Sequence, residues 1–323
     1  MAQLVKLQDY ISRYEQDIFT YPSRFVRLKK QQWERTKENW EKEGVDASNL
    51  SFAAPLNEWR EENNREKRSL LGKLSGMFKP LEKEAEEPVE EVGKSEDPLE
   101  FSAAFKYKPA TVDELKQQFL DQLFRFQLKW ASSTLVEKSY FSSKYFFEEK
   151  LKFFLQRFPD TFLVLYNPIF LLKKAPVEAE ILLLTPTETW CISFIEEEDS
   201  AVFIGSNDRF WLKLSNKGEK KVLNPLLSLN RTERIVRNIY KLYKIELPIH
   251  KLIISRNGYI DYPNAPFGIQ FAEARNFNQW FQNMRSLRSP LKHMQLNGAQ
   301  ALLQYCQTSS TKRLEWEAPK EVE

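Results

Sequence analysis

The sequence is poor in glycine, cysteine and histidine, and each shortage argues against a class of site. Nine of the 323 residues are glycine, about 3% against a usual share of about 7%. None of them falls in a GxGxxG or GxxxxGK[ST] pattern, so a glycine loop that holds phosphate is not expected. The two cysteines and two histidines are scattered rather than clustered, which argues against zinc spacings. Any metal would be a hard cation held by carboxylates, such as Mg²⁺ or Mn²⁺.

Long hydrophobic runs are also lacking. No segment approaches the roughly 18 apolar residues that a membrane-spanning helix needs. The first stretch, MAQLVKLQDYISRYEQD, carries acids and polar residues, unlike a secretory signal. With so few cysteines, no disulfide framework is implied. We expect a soluble, cytoplasmic protein without a transmembrane segment.

The formal net charge of +3 conceals two opposed segments. Residues 81–100 hold nine acids against two lysines, whereas residues 206–244 hold ten lysines or arginines against three acids. The two segments therefore carry about −7 and +7, and the basic one is a candidate surface for an anionic partner.

The N-terminal segment, residues 1–43, has a helical pattern. Leu4, Leu7 and Ile11 recur at three- and four-residue steps. The YPS sequence interrupts this pattern and predicts a second helix over 24–42. The tryptophans of this second helix lie seven residues apart, on one face, which we expect to pack on the main domain or to bind a protein partner.

Residues 44–110 have the composition of an acidic, largely disordered linker. A short amphipathic island, RSLLGKLSGMFKP at residues 68–80, interrupts it. Its apolar face and flanking cations suit a segment that folds on a partner or a membrane surface. The alternative is a weakly ordered turn, or one that docks on the core, because a single short helix is marginally stable alone.

Residues 111–307 predict an α/β domain, followed by a tail at 308–323. A capping box formed by Thr111 and Glu114 opens a helix through Trp130, and a second helix is predicted over 139–157. The predicted strands are 162–166, 169–173, 180–185, 189–195, 201–205, 210–214, 250–256 and 268–274. Further helices are predicted over 224–245, 276–287 and 291–306. This order indicates a mixed sheet flanked by helices.

The C-terminal half, about residues 140–290, resembles the nuclease-related domain (NERD) family, whose fold is like that of PD-(D/E)XK nucleases. The resemblance rests on the succession FFEEKLKFFLQRFPDTFLVLYN, EAEILLLTPTETWCISFI, VFIG…RFWLKL, NPLLSLNRTERIVRNIY and IHKLIISRNGYI. It covers about half of the chain and leaves the N-terminal 110 residues outside.

The resemblance implies a metal site built from four polar positions. In the family, a helix glutamate, a strand aspartate, a Glu-x-Lys on the next strand and a helix glutamine surround a divalent ion. The matching residues here are Glu148 or Glu149, then Glu180, then Ser193 with Ile195, and finally Ser228. Serine cannot supply the missing negative charge, and isoleucine cannot replace the lysine. The resemblance therefore implies a degraded site.

A migrated carboxylate is the alternative to a degraded site. Ser193, Ile195 and Glu197 share one face of a strand, so Glu197 is a candidate metal ligand beside Glu180. The bland interpretation is that the acidic run at 196–199 is a solvated strand end.

A basic stripe on the predicted helix at 224–245 is a second candidate surface. Its cations fall within an arc of about 140° at 100° per residue. They are Arg231, Arg234, Arg237, Lys241 and Lys244. Such a stripe could follow a phosphate backbone, or it could be an ordinary solvated face.

The leading hypothesis from the sequence is a bacterial pseudo-nuclease of the NERD type. It would be a non-catalytic nucleic-acid-binding or scaffolding module without a resident cofactor. The alternative is an enzyme, a Mg²⁺- or Mn²⁺-dependent nuclease that hydrolyses DNA or RNA through Glu148 or Glu149, Glu180 and Glu197.

Overall fold

The structure is a computed structural model that describes residues 1–42, 109–140, 142–173, 175–196 and 200–312. The island at 68–80, most of the predicted linker and the end of the predicted tail lie outside these ranges. The domain boundaries drawn from the sequence therefore stay a prediction. Among the described residues, no helix combines the length and apolar character needed to cross a membrane.

The described residues contain six α-helices and two short 3-10 turns. The helices are α1 Tyr21–Lys42, α2 Val112–Trp130, α3 Glu149–Arg157, α4 Pro225–Tyr243, α5 Phe277–Ser286 and α6 His293–Gln304. The 3-10 turns are Arg13–Glu15 and Ser143–Phe146.

The same ranges contain fourteen strands. The first seven are β1 Gln3–Leu7, β2 Glu137–Lys138, β3 Leu163–Tyr166, β4 Ile169–Leu172, β5 Ala175–Glu178, β6 Ile181–Leu184 and β7 Thr189–Phe194. The others are β8 Val202–Ile204, β9 Phe210–Ser215, β10 Gly218–Leu223, β11 Ile249–Ser255, β12 Tyr259–Asp261, β13 Ile269–Glu273 and β14 Thr311–Lys312.

Six of these strands form the main sheet, in the order β1–β3–β6–β7–β11–β13. β3, β6 and β7 are antiparallel neighbours, and β7, β11 and β13 are parallel. A four-stranded sheet has the order β10–β9–β8–β12, and β4–β5 and β14–β2 form two-stranded sheets. The predicted fold class, α/β with a mixed sheet flanked by helices, is confirmed.

The main sheet has a hydrophobic core on each face because its side chains alternate. On one face, Cys191 and Ile253 pack with α4 and α6. On the other, Ile192 and Ile254 pack with α3 and with residues of α5. The central strands β7 and β11 are therefore covered on both sides, which fixes the positions of the residues at their ends.

The helix predicted at the start of the chain is wrong for residues 3–7. These residues form β1, all five are buried, and they pair in parallel with β3 through Gln3 and Leu163. Leu4 and Leu7 fit a helical step, but pairing with the edge of the main sheet overrides that local pattern. This part of the N-terminal segment thus belongs to the main sheet.

The helix that follows is confirmed, although it begins earlier than predicted. α1 starts at Tyr21 and includes Pro22 in its first turn, where proline removes no hydrogen bond that the helix needs. Phe25 and Leu28 are buried in the core, and the ring of Trp33 lies 5.3 Å from that of Phe119 in α2. The predicted packing of α1 on the main domain is therefore observed.

Candidate active site

One edge of the main sheet collects several of the carboxylates singled out from the sequence. β7 and β11 end at this edge, and β6, which is antiparallel to β7, begins there. Glu180 immediately precedes β6, and Ile181 pairs in register with Ile192. Glu180 therefore lies opposite Ser193, on the face of the sheet that α4 covers.

Hydroxyl groups surround Glu180. Ser193 of β7 and Ser228 of α4 form hydrogen bonds with its carboxyl, and its backbone N–H donates to Thr232 Oγ1 at 2.9 Å. The Ser228 hydroxyl also donates to Pro225 O at 3.0 Å. Because a hydroxyl has a single proton to donate, Ser228 donates either to Pro225 O or to the Glu180 carboxylate. Residues of β7 and α4 therefore hold the Glu180 carboxyl in place.

The pKa of the Glu180 carboxyl is raised above its ordinary value. Burial is the largest cause, because it disfavours the charged form. Hydrogen bonds from Ser228 and Ser193 and the charge of Arg231 act in the opposite direction, whereas the charge of Glu178 adds to the rise. Glu180 therefore holds its proton at a higher pH than an exposed glutamate does, as a general acid or base requires.

An ion-pair network lies beside this carboxyl. Lys251 of β11 pairs with Cys191 of β7, two residues before Ser193. Its side chain therefore lies on the same side of the sheet as that of Ser193. Its ammonium contacts Asn230 Oδ1 at 2.9 Å and Glu233 Oε2 at 3.0 Å. The pKa of the Glu233 carboxyl is lowered: burial raises it, but hydrogen bonds from Arg237 and Lys251 outweigh burial. Glu233 is thus held as a carboxylate.

Sequence reasoning missed Thr232, Glu233 and Lys251 as neighbours of the candidate site. One signal was available, because Lys251 interrupts the apolar run of β11 at a position that faces a helix. The identity of its partner was not available, because the contact between α4 and β11 joins segments about 20 residues apart.

Ile195 occupies the position at which the resemblance implies a lysine. It is 8% exposed, and its backbone N–H donates to Ile254 O at 2.9 Å. Its side chain belongs to the hydrophobic core on the α4 side. The cation whose charge lowers the pKa of Glu180 is instead Arg231 of α4.

The structure places Glu148 and Glu149 at the start of α3, beside other partners. Glu148 hydrogen-bonds to Tyr166, whose pKa is raised chiefly by burial and then by the charge of Glu148. The pKa of the Arg256 guanidinium is raised chiefly by its hydrogen bond to Glu196, and the nearby charge of Glu149 adds to the rise. Their catalytic role stays a prediction.

The first acid of the run after β7, Glu196, forms an ion pair that joins two strands. Glu196 forms a bidentate pair with Arg256, with Oε1 at 2.6 Å from Nε and Oε2 at 2.8 Å from Nη2. Its Oε1 also accepts a hydrogen bond from the Arg256 backbone N–H at 3.0 Å. Glu197 lies outside the described residues, so its predicted role as a migrated carboxylate stays a prediction.

The described residues at Glu180 do not match the ligand set of a hard metal. Mg²⁺ takes oxygen ligands in octahedral geometry, usually including carboxylates. Across the described ranges, no group of three or more histidine, cysteine, aspartate or glutamate side chains could hold a metal ion. The groups around Glu180 are the hydroxyls of Ser193 and Ser228 and the cation Arg231. The metal role predicted for Glu180 and Glu197 stays a prediction.

A groove of about 660 Å³ runs along α4 next to this site. One wall is α4, and the other is formed by the β4–β5 hairpin and Tyr305, which are joined by a 2.8 Å hydrogen bond from Leu171 N to Tyr305 O. Its apolar lining residues are Leu172, Val177, Leu227, Ile235, Ile239 and Leu242. Arg231 and Arg234 project from α4 into it. We call it the α4 groove. Its lining suits a ligand that is both apolar and anionic.

The five cations predicted on α4 lie on its exposed side but differ in their partners. Arg231 Nη2 donates to Glu178 O at 3.0 Å, and Arg237 pairs with Glu233. Arg234, Lys241 and Lys244 make no ion pair within the described part of the chain. The stripe stays a predicted nucleic-acid-binding surface, and two of its members line the α4 groove.

The comparisons with known proteins give one informative match. No family model matches the chain, and no solved structure matches it. A Geobacillus stearothermophilus protein named RNA 2',3'-cyclic phosphodiesterase is 39% identical over 127 residues, which is 39% of this chain and 36% of that protein. The chain thus spans about a third of the length of this relative.

This relative corrects the function inferred from the sequence. Its name is that of an enzyme that acts on RNA, so the non-catalytic pseudo-nuclease or scaffolding module of the NERD type is wrong, as is the expectation of no enzyme activity. Of the two hypotheses drawn from the sequence, the match favours the alternative, an enzyme that hydrolyses phosphodiester bonds.

Proposed function

We propose that the chain is an RNA phosphodiesterase that acts at Glu180 and binds RNA in the α4 groove. A single observation carries the proposal: Arg231 lines the groove and also acts on the charge of Glu180. A phosphate-binding guanidinium and a titrating carboxyl therefore lie side by side. The name of the Geobacillus relative supplies the substrate class, RNA that ends in a 2',3'-cyclic phosphate.

The groove suits one or two nucleotides at the end of a strand. Arginine matches phosphate well, because its planar guanidinium can donate two parallel hydrogen bonds. Arg234 has no ion-pair partner among the described residues and is free to bind a phosphate. Tyr305 and the exposed Leu242 offer surfaces on which a base can pack.

Hydrolysis of a cyclic phosphate adds one water molecule across a P–O bond. Deprotonated Glu180 accepts a proton from the attacking water as the water oxygen bonds to phosphorus. One P–O bond of the ring then breaks, and the departing ribose oxygen takes the proton back from Glu180. The products are a phosphate monoester and a free ribose hydroxyl on the same strand, and Glu180 ends as a carboxylate, as it began.

Arg231 has a second role in this mechanism. Negative charge builds up on the phosphate oxygens as water attacks, and a guanidinium already fixed in place stabilises that charge without reorganisation. Arg231 is held by its hydrogen bond to Glu178 O. The carbonyl anchors one side of the guanidinium and leaves its other donors for the phosphate.

We also infer that the α/β domain has a PD-(D/E)XK nuclease-like fold. The resemblance implies a carboxylate on one strand, a polar group on the next strand and another on the following helix. Glu180 immediately precedes β6, Ser193 lies on β7 and Ser228 lies on α4, an order that supports the inference.

The direct test is an assay of the purified chain on RNA oligonucleotides that end in a 2',3'-cyclic phosphate. Opening of the ring is followed by chromatography of the monoester product. Glu180→Gln keeps the shape of the side chain and removes proton transfer, so kcat should fall by about 10²- to 10⁴-fold. Glu246→Gln, at an exposed glutamate beyond α4, is the matched control and should retain wild-type kcat. Wild-type kcat in Glu180→Gln would overturn the proposal.

A metal arm separates this proposal from the metal-dependent alternative. The assay is repeated in EDTA and with added Mg²⁺ or Mn²⁺, on cyclic-ended RNA, linear RNA and DNA. Ring opening that persists in EDTA supports proton transfer by Glu180. Cleavage of linear DNA or RNA that requires a metal and disappears in both Glu180→Ala and Glu197→Ala supports the migrated-carboxylate nuclease instead.

A further inference from the structure

A second cleft lies at the end of the main sheet where β3 begins. Glu180 lies at the opposite end of the strands. The cleft measures about 520 Å³ and lies between the segment that joins α3 to β3 and the segment that follows α5. The lining includes three arginines, Arg157, Arg285 and Arg288, together with Thr161 and Ser289. We call it the arginine cleft.

The arginine cleft has an excess of positive charge. Among the described residues, none of its three guanidiniums has an ion-pair partner, and Arg285 only covers the ring of Phe281 at 5.2 Å. The one acid in the lining, Asp160, is already paired with Lys29 of α1. Three arginine charges therefore face the cleft without compensation.

A buried hydroxyl in the same lining lacks a partner. Thr161 Oγ1 is inaccessible to solvent and makes no hydrogen bond among the described groups. Buried polar groups are nearly always hydrogen-bonded, so such an atom indicates a missing acceptor or donor. Thr161 and Ser289 are the two hydroxyl-bearing residues of the lining.

We propose that the arginine cleft binds a phosphate monoester group. A phosphate has three terminal oxygens and close to two negative charges at neutral pH, which match three arginine forks and two hydroxyls better than the two oxygens of a carboxylate do. The same chemistry is shared by free inorganic phosphate and by the terminal phosphate of an RNA strand. The cleft is remote from the α4 groove, and the proposal does not depend on catalysis at Glu180.

The test is a titration of the full chain with inorganic phosphate, followed by calorimetry. We expect saturable binding of one phosphate. Arg157→Gln and Arg288→Gln should each weaken binding by about 10- to 100-fold, the loss of one or two charge-assisted hydrogen bonds. Both arginines are exposed, and unchanged melting temperatures would show that the variants fold. Arg27→Gln, at an exposed arginine of α1, is the matched control and should bind as the wild type does.

Two RNA oligonucleotides of one sequence, with a 5'-phosphate or a 5'-hydroxyl, separate the two sources of phosphate. Tighter binding of the phosphorylated strand that depends on Arg157 and Arg288 supports a strand end as the ligand. Equal binding of the two strands, with arginine-dependent binding of inorganic phosphate, supports a free phosphate. Arg27→Gln, the exposed control on α1, should leave both measurements unchanged. Unsaturable binding, or binding that both cleft variants retain, would overturn the proposal.

Discussion

The two faces of strands β7 and β11 differ in chemistry although the same two segments build both. On the α3 side, Trp190, Ile192 and Phe194 alternate with the residues of the other face and pack among aromatic rings. Phe153, Phe158 and Phe281 belong to this packing, with ring centroids 5.3 to 5.4 Å apart. This side is an aromatic layer that stabilises the fold.

On the α4 side, the alternate positions include polar groups. Ser193 and Lys251 face α4 between hydrophobic neighbours. On α4, Glu233 pairs with Lys251 and Thr232 accepts from the Glu180 backbone N–H. Polar groups in a sheet interior cost stability unless they are paired. Their concentration on one face next to Glu180 indicates that this face serves function, whereas the opposite face serves stability.

The largest expected effect is on the aromatic side. Phe154 is fully buried and its ring lies between those of Phe158 and Phe194. Phe154→Ala should lower the free energy of unfolding by about 3–5 kcal/mol, through lost burial and a residual cavity, as measured by urea denaturation. Leu226→Ala on the α4 side, also buried, is a comparison substitution and should cost about 2–5 kcal/mol. A loss below about 1 kcal/mol for Phe154→Ala would contradict the stabilising role of the aromatic layer.

A smaller effect is expected at the ion pair between Glu196 and Arg256, which follow β7 and β11. The Glu196 side chain is 10% exposed and that of Arg256 is 30% exposed. Glu196→Gln should lower the free energy of unfolding by about 1–3 kcal/mol, because Arg256 loses hydrogen bonds to a charged partner. Glu149→Gln, which only removes a nearby charge, should cost less. If the two variants lose equal stability in urea denaturation, the bidentate pair has no special role.

Removing the Glu180 charge should instead stabilise the fold. The folded-state pKa of Glu180 is raised, so the folded state binds this proton more tightly than the unfolded state does. The wild type therefore loses stability as pH rises through the folded pKa. At pH 8, Glu180→Gln should raise Tm, because the variant has no carboxylate charge to bury. The gain should shrink towards pH 4, where the wild-type carboxyl is protonated as well. An equal gain at both pH values would contradict this linkage.

The hydroxyls around Glu180 should set the pH dependence of the reaction. Ser193 lowers the pKa of Glu180 through a hydrogen bond, so Ser193→Ala should raise that pKa further. Because the deprotonated carboxyl accepts the proton of water, the rising limb of the kcat profile should move to higher pH. Ser255→Ala, at a buried serine of β11, is the control and should leave the limb in place. An unmoved limb in Ser193→Ala would separate this serine from the chemistry.

The smallest expected effect is at Arg234, which is exposed and makes no ion pair within the described ranges. Arg234→Gln should leave Tm within about 1 °C of the wild type, as is usual for surface substitutions. RNA binding should weaken, and the slope of log affinity against log salt should fall by about 0.7, the value for one contact to a single strand. Arg35→Gln, on the exposed part of α1, should change neither quantity. An unchanged slope in Arg234→Gln would indicate that the basic stripe of α4 is an ordinary solvated face.

Much of the local structure could be predicted because its causes are local. Thr111 caps α2, as predicted, by accepting from Glu114 N at 3.2 Å. Apolar runs gave β3, β6, β7 and β11 to within about one residue at most ends. The edge strand β13 was predicted at 268–274 and forms at Ile269–Glu273. The edge strand β10 was missed: its sequence GEKKVL is almost wholly exposed and has no buried face to leave a pattern.

The candidate site could be predicted only in part. Glu180 was singled out, and the resemblance set Ser193 and Ser228 at the positions that now contact it. Lys251 and Thr232 were missed because their contacts depend on how α4 crosses β7 and β11. Glu148 and Glu149 were grouped with Glu180, but in the structure Glu148 hydrogen-bonds to Tyr166 and Glu149 lies near Arg256. Which carboxylates share a site depends on which face of the sheet each one reaches.

The sequence by itself determined the α/β class, the helix caps, the buried strands and the basic side of α4, because these follow from side-chain size, polarity and spacing along a short segment. The tertiary structure decided the remainder. Pairing with β3 made residues 3–7 a strand against their helical spacing, and packing of α4 on the sheet set hydroxyls and Arg231 around Glu180. Those contacts join segments separated by tens to more than a hundred residues, and their free energy exists only once the chain has folded.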